Sequence, residues 1–185
     1  MSILRRIILP GASYFVTCCL PRPTRFLFDA SLWPILAEGF ERARERYDFY
    51  LLGYVFMPDH WHCLLAPLGN ATISQVIGHI KFNSGFYINR SLGRKGPVWE
   101  PRFYDHILWQ PDEYARVINY MHYNPCAKEL AATPADWQWS SWQDYYAESS
   151  PVGIDFVPLP TMQDRPATVP SEWRHGKEEW RVVRR

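Results

Sequence analysis

The stretch YDFYLLGYVFMPDHWHCLLAP, Tyr47 to Pro67, constrains this chain more than any other. Two runs of aromatic, β-branched and aliphatic residues, Asp48 to Phe56 and His60 to Ala66, flank a short Met-Pro-Asp element. That is the pattern of two antiparallel strands joined by a tight turn. Side chains alternate between the faces of a strand, so His60 and His62 point the same way as the second strand leaves the turn. Two imidazoles on one face can converge on one object, and a divalent metal ion is such an object.

The elements around this hairpin narrow the fold. Ser13 to Leu20, SYFVTCCL, reads as a first strand ahead of the turn PRPTR. Leu32, Ile35, Leu36, Phe40 and Ala43 recur at helical spacing within Ser31 to Tyr47. After the hairpin, Thr72 or Ser74 can cap a second helix whose apolar stripe is Ile73, Val76, Ile77, Ile80, Ser84, Tyr87 and Ile88, and GRKGP breaks it. Phe103 to Trp109 is a fourth strand. Pro111 to Tyr123 is a third helix, expected to stop where Asn124 precedes Pro125. The order β, α, β, β, α, β, then α predicts an α+β, ferredoxin-like split βαβ fold, an antiparallel sheet covered by helices on one side. Residues 1–146 form the domain in this reading, and the proline-rich, aperiodic residues 147–185 form an extended C-terminal tail.

Composition sets the function classes. At 185 residues the chain suits one well-buried domain with an appendage. No apolar run approaches a membrane span, and no signal peptide is evident, so the expectation is a cytoplasmic protein without a membrane partner. The four cysteines lack ligand spacing and read as reduced packing residues. Net charge is only +1, but it is unevenly spread. Arg5, Arg6, Arg22 and Arg25 face no acid in residues 1–25, and Lys81, Arg90, Arg94, Lys95 and Arg102 outnumber Glu100 and Asp105 in residues 71–110. Localised basic zones on a near-neutral chain suit a polyanion site.

Helical angles select the rest of the site. At about 100° per residue, Tyr114, Val117, Ile118 and Met121 share one arc, the expected buried face. Tyr120 and Asn124 lie roughly 110° and 70° from its middle, on the same side and one turn apart, whereas Tyr123 points nearly opposite. Tyr120 and Asn124 can therefore address an imidazole pair at the edge of the buried face. The tyrosine hydroxyl is a candidate nucleophile, and the amide oxygen of Asn124 a candidate third ligand.

The ordered motifs GASYFVT, YVFMPDHWHCLL, VWEPRFYDHIL, YARVINYMHYNP and ADWQWSSW together resemble the REP-associated tyrosine transposases, a branch of the HUH single-tyrosine transposases. The resemblance covers most of residues 5–146. It implies that His60 and His62 bind a divalent ion with Trp61 as the hydrophobic member between them, that Asn124 is the remaining protein ligand and that Tyr120 is the catalytic nucleophile. It implies Mg²⁺ or Mn²⁺ as cofactor. The implied partner is single-stranded DNA with a hairpin of the repetitive extragenic palindrome type. Two positions depart from the family pattern: Glu100 stands where Gln is usual, and Trp61 is bulkier than the usual aliphatic residue.

The chemistry expected of such a set is metal-dependent cleavage and strand transfer through a 5′-phosphotyrosine. A phenol has an ordinary pKa near ~10, so Tyr120 needs a base, for which His106 and Glu113 are candidates. Arg5, Arg6, Lys81, Arg94, Lys95 and Arg102 are the expected DNA contacts, with aromatics stacking on unpaired bases. Two alternatives use the same residues differently: a nucleic-acid-binding module without covalent chemistry, and a nuclease in which metal-bound water attacks. The expected oligomeric state is a monomer, with a dimer as the alternative.

Overall fold

The structure, a computed structural model, describes residues 12–21, 30–146 and 150–156. Arg5 and Arg6 lie outside the described residues, as does the chain beyond Phe156. Strand β1 (Ser13–Cys19) leads to helix α1 (Trp33–Arg46), the hairpin β2 (Phe49–Phe56) and β3 (His60–Pro67), helix α2 (Ile73–Ser91), strand β4 (Tyr104–Leu108), helix α3 (Pro111–Ala127) and a short α4 (Trp142–Tyr146). The strands form one sheet in the order β2-β3-β1-β4, and every neighbouring pair is antiparallel. Each outer strand is thus joined to a non-adjacent strand through a helix, which is the split βαβ arrangement expected from the element order.

The period-2 alternation of the strands sorts the core into two layers. Val16, Cys18, Leu51, Tyr54, Phe56, Trp61, Cys63 and Leu65 face α1 and α2, which contribute Leu36, Phe40, Ile77 and Ile80 among others. Phe15, Leu52, Val55, Met57 and Leu64 face the other way, against Tyr114, Val117, Ile118 and Met121 of α3. The expectation of helices on one side therefore fails for α3, which covers the opposite face. Helical periodicity identifies which side of a helix is apolar, but it does not say which side of a sheet receives it.

Local chemistry explains the helix ends. Thr72 caps α2, its hydroxyl accepting from the backbone N–H of Gln75 while the Gln75 side chain accepts from the backbone N–H of Thr72. Buried Ser84 in the apolar stripe is satisfied by donating to the Ile80 carbonyl and accepting from the Trp99 indole. Helix α3 does not stop at Tyr123 but runs through Pro125 to Ala127. Pro125 falls in the last turn, and beyond it Lys128, Glu129 and Leu130 donate backbone hydrogen bonds to Asn124, Cys126 and Pro125 respectively, so the turn closes without the missing N–H.

One glycine seats α3. A Cβ on Gly53 would lie 2.6 Å from Ile118 Cδ1 and 2.9 Å from Met121 Cε, so with glycine here these two side-chain ends pack directly on the β2 backbone, and any larger residue would make them move. Gly53 also sits at an irregularity of the β2–β3 register, between Leu51 and Gly53.

The segment after α3 closes the open edge of β2. Phe56 donates to the Trp139 carbonyl, Tyr54 exchanges backbone and hydroxyl hydrogen bonds with Ser141, and Asp155 donates its N–H to the Leu51 carbonyl. The Asp155 carboxylate accepts from both the Leu51 N–H and Arg44 at 2.9 Å, and Val152 is fully buried in the α1/α2 layer. Residues 150–156 are therefore part of the folded domain, although the sequence pattern placed the tail's start at residue 147.

Candidate active site

The edge of the α3 layer holds the two histidines. His60 and His62 share the α3 face of β3, as their spacing requires, and their Nε2 atoms lie 3.1 Å apart. Trp61 between them points into the opposite layer, fully buried, with its ring against Phe40 and Trp99. Its bulk is housed in the core and does not reach the site. His62 is buried, its ring stacked on Phe15 at 5.0 Å.

Each imidazole is held through its other nitrogen. His60 Nδ1 lies 2.7 Å from the Asp59 carboxylate, and His62 Nδ1 lies 2.8 Å from Thr17 Oγ1. A carboxylate only accepts, so the Nδ1 proton of neutral His60 belongs in that bond and its Nε2 carries a lone pair. At His62 Nδ1 the partner is the Thr17 hydroxyl, which can accept from an Nδ1–H and so is compatible with the same tautomer. Burial, and then the neighbouring His60, hold the His62 imidazole well below the ordinary histidine pKa. With both Nδ1 atoms protonated the two Nε2 lone pairs face one another, an arrangement favourable around a shared proton or cation.

Helix α3 brings the other half. Asn124 is buried, with its amide nitrogen 3.3 Å from His62 Nε2, and its Oδ1 has no hydrogen-bond partner. A buried amide oxygen without a partner beside two convergent imidazole nitrogens fits the donor set of a divalent cation, and a half-turn of the amide plane would aim the oxygen at it. Among the described residues no three His, Cys, Asp or Glu side chains form such a cluster, because the third donor here is an amide. Tyr120, one turn before Asn124, is half-buried and sets its ring edgewise on His62 at 5.4 Å and on Phe15 at 6.0 Å. Tyr123 is exposed. The angular reading of the helix is thus met at all three positions.

The remaining candidates disperse. His106 lies on β4 directly opposite Phe15, on the site face, and burial lowers its pKa against the pull of Glu113 and Asp105. Glu113 takes a different role from the one expected: its carboxylate accepts from the backbone N–H groups of Trp109 and Gln110 at 2.6 and 3.0 Å, closing the N-terminus of α3 two turns from Tyr120. Lys81 donates to the Glu100 and Pro101 carbonyls at 2.6 and 3.1 Å, so it fixes the loop before β4. Arg94 is half-buried, and Lys95 and Arg102 are exposed, in that loop region. Sequence reasoning missed Asp59 and Thr17. Asp59 stands beside His60 in the quoted motif, whereas Thr17 becomes visible only once β1 is placed opposite β3 in register.

The family model described as IS200-like transposase matches residues 14–124, from β1 to the last of the convergent side chains. The chain belongs to this family. It is accordingly an enzyme of the single-tyrosine transposase type. Within the IS200-like transposases it is similar to a REP-associated tyrosine transposase of Escherichia coli, 25% identical over 143 residues, covering 77% of this chain and 83% of the relative. It is similar also to a Haemophilus influenzae protein ascribed to the same group, 26% identical over 162 residues, covering 82% and 92%. A solved structure of a REP-associated tyrosine transposase bound to a REP hairpin shares the fold, with a TM-score of 0.68 at 22% identity, covering 91% of this chain and 100% of the other. These matches bear out the resemblance carried by the ordered motifs. Among the described residues no helix is long and apolar enough to cross a membrane.

Proposed function

We propose that this transposase cleaves and rejoins single-stranded DNA flanking a hairpin through a 5′-phosphotyrosine on Tyr120. The observation that carries this reading is the convergence of His60 Nε2, His62 Nε2 and the Asn124 amide beneath the Tyr120 ring. His60, His62 and Asn124 would hold a divalent cation, Mg²⁺ or Mn²⁺, which when bound offsets negative charge developing on the phosphate oxygens in the transition state.

The protein's own groups do the rest. The Tyr120 phenolic oxygen attacks phosphorus in line; the Oη–P bond forms as the P–O3′ bond breaks, leaving a 5′-phosphotyrosine and a free 3′-hydroxyl. The phenolic proton passes to a base, a role we assign to His106 on the site face of β4 because Glu113 is engaged at the helix N-terminus. Burial keeps the His106 imidazole neutral near pH 7 and so able to accept a proton. Attack by another 3′-hydroxyl reverses the step and joins strands without an external energy source. Phe15 and His62 contact the Tyr120 ring edgewise, so the nucleophile enters the reaction with its ring already oriented.

Denaturing electrophoresis after incubation with labelled hairpin DNA tests this. Tyr120→Phe should retain hairpin affinity and lose the covalent adduct, and Tyr123→Phe should keep it. His60→Ala and His62→Ala should lose cleavage, and Asn124→Ala should show a milder loss partly rescued by raised Mn²⁺. An adduct that persists in Tyr120→Phe and vanishes in Tyr123→Phe would overturn the assignment. Free product without any adduct in the unmodified protein would replace transesterification by hydrolysis.

A further inference from the structure

Helix α3 crosses the sheet obliquely. Its first turns lie over Leu108, at the far end of β4, and its last turns lie over His62. Among the described residues no helix covers the opposite corner of that face, at the start of β4 and the end of β1. Its floor follows from the register. Thr17 pairs with His62 on one side and with Tyr104 on the other, and Cys19 pairs with His60. Side chains directly opposite one another share a face, so His62, Thr17 and Tyr104 form one row across three strands. At two inter-strand spacings, the Tyr104 backbone stands about 10 Å from that of His62.

The side chains along this row change in kind. His62 is buried, Thr17 is half-buried and Tyr104 is 64% exposed, an aromatic ring on the outermost strand with no helix of the described residues above it. Thr17 and Cys19 are short, so the shelf between the imidazoles and the Tyr104 ring is low. Arg102, exposed two residues before Tyr104, adds positive charge at the same rim. A shelf bounded by the candidate metal ligands at one end and by an exposed aromatic ring at the other suits an extended polyanion with flat, unpaired faces. Exposed aromatics on a ferredoxin-like sheet are a general means of holding unpaired bases by stacking.

We propose that Tyr104 is a stacking platform for an unpaired nucleobase beside the scissile phosphate, fixing the register of the strand on the shelf. This rests on the reading of His60, His62, Asn124 and Tyr120 as the DNA-cleaving centre. Tyr104 is a positioning residue: it holds the substrate and takes no part in bond making.

The test uses the full chain carrying Tyr120→Phe, with a DNA hairpin chosen for tightest binding and bearing 2-aminopurine at successive positions of its single-stranded flank. One position should show strong quenching with Tyr104 present, and Tyr104→Ala should abolish quenching there while weakening flank-dependent binding about ten-fold or more. Tyr104→Phe and Tyr104→Trp should keep both. In the chain with Tyr120 intact, Tyr104→Ala should raise KM or spread the cleavage position while leaving the adduct formed at saturating DNA. Unchanged quenching in Tyr104→Ala would overturn the proposal, as would a loss in Tyr104→Phe equal to that in Tyr104→Ala. Tyr104-dependent quenching in a protein that forms no adduct would leave the stacking role standing and remove the cleavage reading instead.

Discussion

The two faces of this one sheet are built to different standards. The α1/α2 face is a dense aromatic layer in which Phe40, Tyr54, Phe56, Trp61 and Trp99 pack ring against ring. The α3 face is covered mainly by one helix and contains buried His62, His122 and Asn124; His122 Nδ1 and Asn124 Oδ1 lack hydrogen-bond partners there, as the indole nitrogens of Trp33 and Trp61 do in the aromatic layer. Unsatisfied buried polar atoms cost stability, and they concentrate at sites that bind or react. What separates the faces is the kind of group buried: indole N–H donors within an aromatic layer on one, and imidazole and amide groups able to bind a cation on the other.

Adjacent residues on β3 give the sharpest way to break that division. Trp61→Ala should destabilise the fold by about 3–5 kcal/mol in chemical denaturation, by leaving a large cavity among aromatics. His62→Ala, one residue away on the other face, should cost less than half as much and yet abolish the adduct. Equal stability losses would show that both faces carry the fold alike.

Acid should attack the α3 face first. Burial lowers the His122 pKa to about 4 from an ordinary value of 6.5, so the unfolded chain binds the proton before the folded one does. The stability contributed by neutral His122 is therefore complete above about pH 6.5, falls as pH drops through the window, and is lost below about pH 4. The loss should amount to about 3 kcal/mol. His122→Leu should remove that slope from the stability-versus-pH curve, although the buried His62 contributes in the same direction. A curve unchanged by the substitution would remove His122 from the account.

Smaller effects should follow from the closeness of α3 to the sheet. Gly53→Ala forces a Cβ against Ile118 and Met121 and should cost about 1–3 kcal/mol. If the repacking shifts the helix, which carries Tyr120 and Asn124, adduct formation should slow as well; an unchanged adduct rate would show that the Ile118 and Met121 side chains absorb the change. Asp155→Ala removes a half-exposed ion pair with Arg44 and an acceptor for the Leu51 N–H, and should cost only about 1 kcal/mol, with no change in adduct yield. A lower adduct yield in Asp155→Ala would mean that the β2 edge and the α3 site are coupled.

How much of this was legible in the sequence depends on the range of the interaction. The 100° periodicity of α3 placed Tyr120, Tyr123 and Asn124 correctly around the helix, and the period of two on β3 placed His60 and His62 on one face, because both are local geometric rules. Pro125 misled, since its cost depends on whether it falls in the interior or the last turn, which only the hydrogen bonds from Lys128 to Leu130 decide. Glu113 was weighed as a base although it stands three residues after Gln110 at a helix start, a spacing that also signals a reciprocal cap. Thr17, Ser141 and Asp155 meet partners far away in sequence, and no local pattern announces them.

The covering of β2 by residues 139–141 and 155 has a consequence for the order of events during synthesis. Strand β2 leaves the ribosome long before Trp139, Ser141 and Asp155 exist, so its outer backbone groups stay unpaired through most of translation. The nascent chain must carry a sticky strand edge until its last described residues arrive. Slow synthesis through residues 57–138 would lengthen that interval, and the yield of soluble protein should respond to codon choice there more than in the segment before β2.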